Sequence, residues 1–113
     1  MAKIKSFTSL KQSKKLAEIL PLESADMCYM YLGTEDKKYE DIPICAPATE
    51  GDLCAWSLAA LLAVLPDYTL QTNTDGTVFA VCDSKKPIFS DAYDNPVDAC
   101  YEIIINLHKF KLL

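Results

Sequence analysis

Five cysteines and one histidine are the residues of this chain best suited to nucleophilic chemistry. A cysteine nucleophile needs an imidazole near enough to take its proton, and His108 is the only imidazole. Cys100 lies on the same expected helix, about 80° away around the axis and about 12 Å along it. The two form no dyad by themselves. Nothing local aims Cys28, Cys45, Cys54 or Cys82 at His108, which shares a helix flank with Tyr101 and Ile105 as a satisfied boundary histidine would. The cysteines are odd in number, lack CxxC spacing and sit among apolar residues. They read as reduced thiols used as small hydrophobes, and a single imidazole without clustered thiols is too little for a zinc site. A cysteine-dependent hydrolase is the weakest reading of the chain.

The acids come in pairs: Glu35 and Asp36, Glu40 and Asp41, Glu50 and Asp52, Asp91 and Asp94. Each pair falls in a polar, turn-rich stretch where solvated charge is expected, and none follows the alternating acids and glycine of an EF-hand. Gly33, Gly51 and Gly76 are the only glycines, and no phosphate-cradling motif includes them. No catalytic residue, metal or cofactor is expected. The eleven basic residues are all lysine, and against sixteen acids they leave a net charge of −5, the wrong sign for neutralising phosphates. The basic residues near the start, Lys3, Lys5, Lys11, Lys14 and Lys15, are not interleaved with aromatics that could stack bases, and they read as a solvated helix face. Direct nucleic-acid binding is not expected. Residues 1–20 carry +4, so the rest carries −9. An acidic body of this kind can occupy a partner's basic groove in place of nucleic acid, with Glu40, Asp41, Asp91 and Asp94 as the loop acids concerned.

These groups must be positioned by a chain of 113 residues and 12.6 kDa, the size of a single globular domain over 1–113. Half of its residues are apolar, enough to build a core. The N-terminus lacks the apolar run and cleavage site of a secretory signal. The longest apolar stretch, 53–65, is shorter than the roughly 17–25 residues of a membrane-spanning helix. A cytoplasmic protein is expected. A first helix over about 9–20 opens with a capping box at Ser9 and Gln12 and stops before Pro21. Residues 27–32 read as a strand, and 33–52 as a long irregular segment with a short strand possible at Ile42 to Cys45, the first place to look for a binding surface. A second helix over about 53–65 is expected to start at Asp52 and to be apolar nearly all round, so that it needs cover from its own domain or from a partner. Residues 68–82 read as a hairpin turning at Asn73 to Gly76, with the second strand central and Ile88-Phe89 as a short edge after Lys85-Lys86-Pro87. A third helix over about 96–110 is capped by Asn95 with Pro96 at its first position, and its apolar stripe runs Val97, Cys100, Ile103, Ile104, Leu107 and then Phe110 or Leu112. The order predicts an α+β fold, a small antiparallel sheet packed with three helices.

Three stretches carry a resemblance: 16–27, the block Trp56-Ser57-Leu58-Ala59-Ala60-Leu61-Leu62 leading to Leu65-Pro66, and 94–108. They resemble a family of small uncharacterised proteins recurring in gut-anaerobe genomes, prophages and mobile elements, over most of residues 10–113. The order of elements is also similar, in architecture alone, to small phage domains built as helix-sheet-helix sandwiches. The resemblance implies a cytoplasmic protein of phage or mobile-element type and assigns no reaction. The leading functional expectation is a non-catalytic module that binds another protein or itself, with Trp56, Leu58 and Leu62 as an apolar anchor. The alternative is the acidic inhibitor of a nucleic-acid-acting host protein, using acids such as Glu40 and Asp41.

Overall fold

The computed structural model describes residues 5–82 and 87–111, in the order α1 (Leu10–Ala17), β1 (Met27–Tyr29), β2 (Leu53–Ala55), α2 (Leu58–Val64), β3 (Tyr68–Thr72), β4 (Val78–Cys82), β5 (Ile88–Phe89) and α3 (Pro96–Lys109), with one 3₁₀ turn at Leu22–Ser24. The fold is α+β, with two antiparallel sheets of two and three strands among the described residues. Lys3, Lys85, Lys86 and Leu112, all named above, lie outside the described residues. Phe7–Ala60 forms one compact unit, and the described residues before Phe7 and from Leu61 onward form another.

In the first unit, α1 opens as its sequence dictates. Ser9 Oγ accepts from Gln12 N at 3.1 Å and Gln12 Oε1 accepts from Ser9 N at 3.0 Å, which satisfies two otherwise orphaned donors. The helix ends at Ala17, and a charge pair on its outer face joins Lys15 to Glu18 at 3.6 Å. Leu16 and Leu20 are buried while Lys11, Lys14 and Lys15 are exposed. Strands β1 and β2 pair in the register Met27 to Ala55, Cys28 to Cys54 and Tyr29 to Leu53. Met27, Tyr29 and Ala55 form the buried centre, with Phe7, Leu10, Tyr39 and Leu53 packed against it.

The helix expected over 53–65 therefore begins five residues late, at Leu58. Its first residues are strand, because β1 needs a partner and the run Leu53-Cys54-Ala55 serves either conformation. Asp52 does not cap α2. Its carboxylate accepts from Tyr31 N at 2.8 Å, Thr49 Oγ1 at 2.8 Å and Thr49 N at 3.1 Å, and so closes the turn that leads into β2. The cap is Ser57, whose Oγ accepts from Ala60 N at 3.2 Å while donating to Asp26. The helix is also not covered all round: Ala60 and Leu61 are buried, whereas Ala59 and Ala63 are exposed.

In the second unit, β4 is central and β3 and β5 flank it. The hairpin turns through Gly76 at φ +87°, where Asp75 Oδ1 also accepts from Thr77 N and Thr77 Oγ1. Helix α3 packs against β4 and β5. Asn95 Oδ1 accepts from Asp98 N at 2.8 Å, and Pro96 takes the first helical position. Val97, Cys100, Ile103, Ile104 and Leu107 are buried, and Lys5 Nζ meets Asp98 Oδ1 at 2.6 Å beside the first turn.

Candidate functional site

Trp56 is fully buried. It follows β2, its Nε1 donates to Ser24 Oγ at 2.9 Å, and its backbone is held by Thr8: Thr8 N donates to Trp56 O at 2.9 Å and Trp56 N to Thr8 Oγ1 at 3.1 Å. Thr8 is itself buried, shares a hydrogen bond of 2.7 Å with Ser13 Oγ, and accepts from the Tyr29 hydroxyl at 2.7 Å through its carbonyl. This polar hub joins α1, β1 and the end of β2. A threonine between Phe7 and the capping Ser9 gives no hint of it in the sequence. Trp56 thus anchors the interior of its unit and presents no ring at the surface. Leu58 and Leu62 lie one helical turn apart on α2 and are half-buried.

Glu40 and Asp41 are exposed on the irregular segment. Asp41 is tied to Lys37 Nζ at 2.5 Å, and that contact raises the lysine's pKa. Glu40 N donates to Met30 O at 3.0 Å, and with the bridges of Tyr31 to Tyr39 and Cys28 to Ile44 it folds the segment back along β1. Asp91 and Asp94 are exposed in the other unit. Among the described residues, no three His, Cys, Asp or Glu side chains are grouped as a metal would need. No helix among them is long and apolar enough to cross a membrane.

All five cysteines are free thiols, and all but Cys45 are buried. Burial, with the neighbouring Cys82 second, pushes Cys100 up to about 12, so its thiol stays protonated at neutral pH. That is the reverse of an activated nucleophile. His108, on the same helix, is exposed. Burial also raises Cys28 and Cys54, with Asp52 and then Cys54 adding to the effect at Cys28. Cys54 borders an open groove of about 530 Å³ whose other walls include Leu22, Ala25, Met27, Pro47 and Ala48.

The feature least prepared for solvent is the outer edge of β3. Val78 exchanges both backbone hydrogen bonds with Tyr93, at 2.7 and 2.8 Å, and Ala80 O accepts from Ser90 N at 2.8 Å. Ala80 and Val78 therefore turn their backbone polar groups away from β3, so their partners Leu70 and Thr72 face them as non-hydrogen-bonded pairs. By the two-residue period, Tyr68, Leu70 and Thr72 all aim N–H and C=O at the open side. Among the described residues no other strand pairs there. The run Tyr68-Thr69-Leu70-Gln71-Thr72 holds no charge and no proline, the two devices that usually blunt an edge. At the opposite edge, β5 has only two residues and follows Pro87. The sequence marks the hairpin and its central strand, but not which edge is left open. No family model, curated protein or solved structure matches the chain.

Proposed function

We propose that this protein is a binding module, acting without catalysis, that joins a second copy of itself by strand addition along the outer edge of β3. The observation that carries this reading is an unguarded edge of five uncharged residues, three of them β-formers. Its sequence suits a two-fold. With Leu70 opposite Leu70, Tyr68 falls opposite Thr72 and Asp67 opposite Asn73, so no like charges meet. The outward positions of both strands then coincide, giving about six backbone hydrogen bonds, two for each of three narrow pairs. Tyr68 is 40% exposed and Leu70 half-buried, so each has apolar surface left to cover. An interface built on one strand is small, and a weak, concentration-dependent dimer is its expected form. Free and mostly buried thiols support work in a reducing compartment such as the cytoplasm.

The test is sedimentation equilibrium of the full chain and of Thr72→Pro. Thr72 is exposed and its N–H faces outward, so proline removes an edge donor without touching the β3 to β4 ladder. The native chain dimerises in the micromolar to millimolar range and the variant at least tenfold more weakly, with unchanged circular dichroism. A native chain that stays monomeric at millimolar concentration overturns the proposal, as does a variant that dimerises equally well.

A further inference from the structure

We propose that Cys28 and Cys54 form a reversible disulfide site that clamps β1 to β2 when the protein meets a low-molecular-weight disulfide. The two residues are register partners. Cys28 N donates to Ile44 O at 3.0 Å and Ile44 N to Cys28 O at 2.9 Å, so both backbone groups of Cys28 point away from β2. Cys28 and Cys54 therefore oppose one another as a non-hydrogen-bonded antiparallel pair, the arrangement that brings Cα atoms to about 4.5 Å and side chains closest. That spacing lies at the short end of the range a disulfide spans, about 4.4–6.8 Å, so the bond closes without moving the strands apart.

Access is asymmetric. Cys54 borders the groove, whereas Cys28 is 1% exposed and its thiol is directed at Pro47 O, 3.9 Å away. Cys54 is thus the entry point. Its thiolate attacks one sulfur of the small disulfide, forming a mixed disulfide and releasing one small thiolate. The Cys28 thiolate then attacks Cys54 Sγ and expels the second. The two protein thiols lose two electrons to the small disulfide, and their protons end on the two released thiols. Burial raises both cysteines, so the reaction speeds up as pH rises and is slow at neutrality.

The experiment equilibrates the full chain with mixtures of reduced and oxidised glutathione in mildly alkaline buffer, quenches with acid, alkylates the remaining thiols and maps the peptides by mass spectrometry. The expected result is loss of the two alkylatable thiols Cys28 and Cys54 into one cross-linked peptide pair, restored by excess reduced glutathione. In Cys28→Ser the glutathione adduct accumulates on Cys54. Full alkylation of Cys28 and Cys54 throughout the series overturns the proposal. So does a product in which only Cys45 carries glutathione, or one in which the cross-links join other cysteines.

Discussion

Replacing Thr8 by valine removes one oxygen and keeps the volume, so it isolates the polar content of the hub beneath Trp56. In Thr8→Val the buried Trp56 N–H loses the acceptor it holds at 3.1 Å, and an unsatisfied buried donor costs about 1–3 kcal/mol. Ser13 Oγ loses its 2.7 Å partner and keeps only Thr8 O at 3.5 Å, a further loss of about 0.5–1.5 kcal/mol. The expected destabilisation is about 2–4 kcal/mol. Thr8→Ser keeps both bonds and gives up one methyl, which costs about 1 kcal/mol in a buried site. Urea unfolding followed by the fluorescence of Trp56, the single tryptophan, measures both variants. The reasoning is refuted if Thr8→Val costs no more than Thr8→Ser, since volume and not hydrogen bonding would then hold the hub.

Three further outcomes follow from the same geometry. Asn95→Ala removes the cap from Asp98 N and should cost about 1 kcal/mol, lowering the thermal midpoint by roughly 4 °C in a scan. The Asp52 carboxyl is held below its ordinary 3.8 by accepting from Tyr31 N, Thr49 Oγ1 and Thr49 N. Its contribution is present above the ordinary carboxylate value and disappears as pH falls through the lowered one, so the amide shifts of Tyr31 and Thr49 titrate together with a midpoint below 3.8. A shared midpoint at or above that value contradicts the assignment. Exposed Cys45 reacts with a maleimide at neutral pH at least 100-fold faster than Cys100, whose pKa is about 12; comparable rates measured by peptide mapping contradict the buried placement.

Much of this architecture is legible in the sequence where a local signal and the tertiary environment agree. Asn95-Pro96 with a stripe of five buried residues, Val97 to Leu107, specifies α3 almost to the residue, although Phe110, expected to extend the stripe, is exposed, and Asp75-Gly76 between β-branched runs specifies the hairpin. The stretch 53–65 is where they diverge. Leu53-Cys54-Ala55 suits a buried strand and a buried helix equally, and pairing with β1, a contact across 26 residues, decides between them. A serine at 57 followed by unbroken helix formers is the signal that marks the true start of α2. Asp52, a good cap by type, is captured instead by Thr49 and by the backbone of Tyr31.

The candidate sites were less legible, because each depends on registers rather than on residue types. Cys28 and Cys54 read as unrelated small hydrophobes until strand pairing sets them opposite each other. Trp56 is conspicuous in any sequence, yet its indole belongs to the interior. The open side of β3 depends on which neighbours of β4 take its hydrogen bonds, and Tyr93 and Ser90 supply that answer from well downstream.

Self-association through β3 is tested most directly by amide hydrogen exchange of the native chain at high and low concentration. Thr69 and Gln71 bond inward to β4 and should be protected at both. The amides of Tyr68, Leu70 and Thr72 face outward and should be protected when concentrated and lose at least tenfold in protection on dilution. Fast exchange of these three at every concentration would contradict the account.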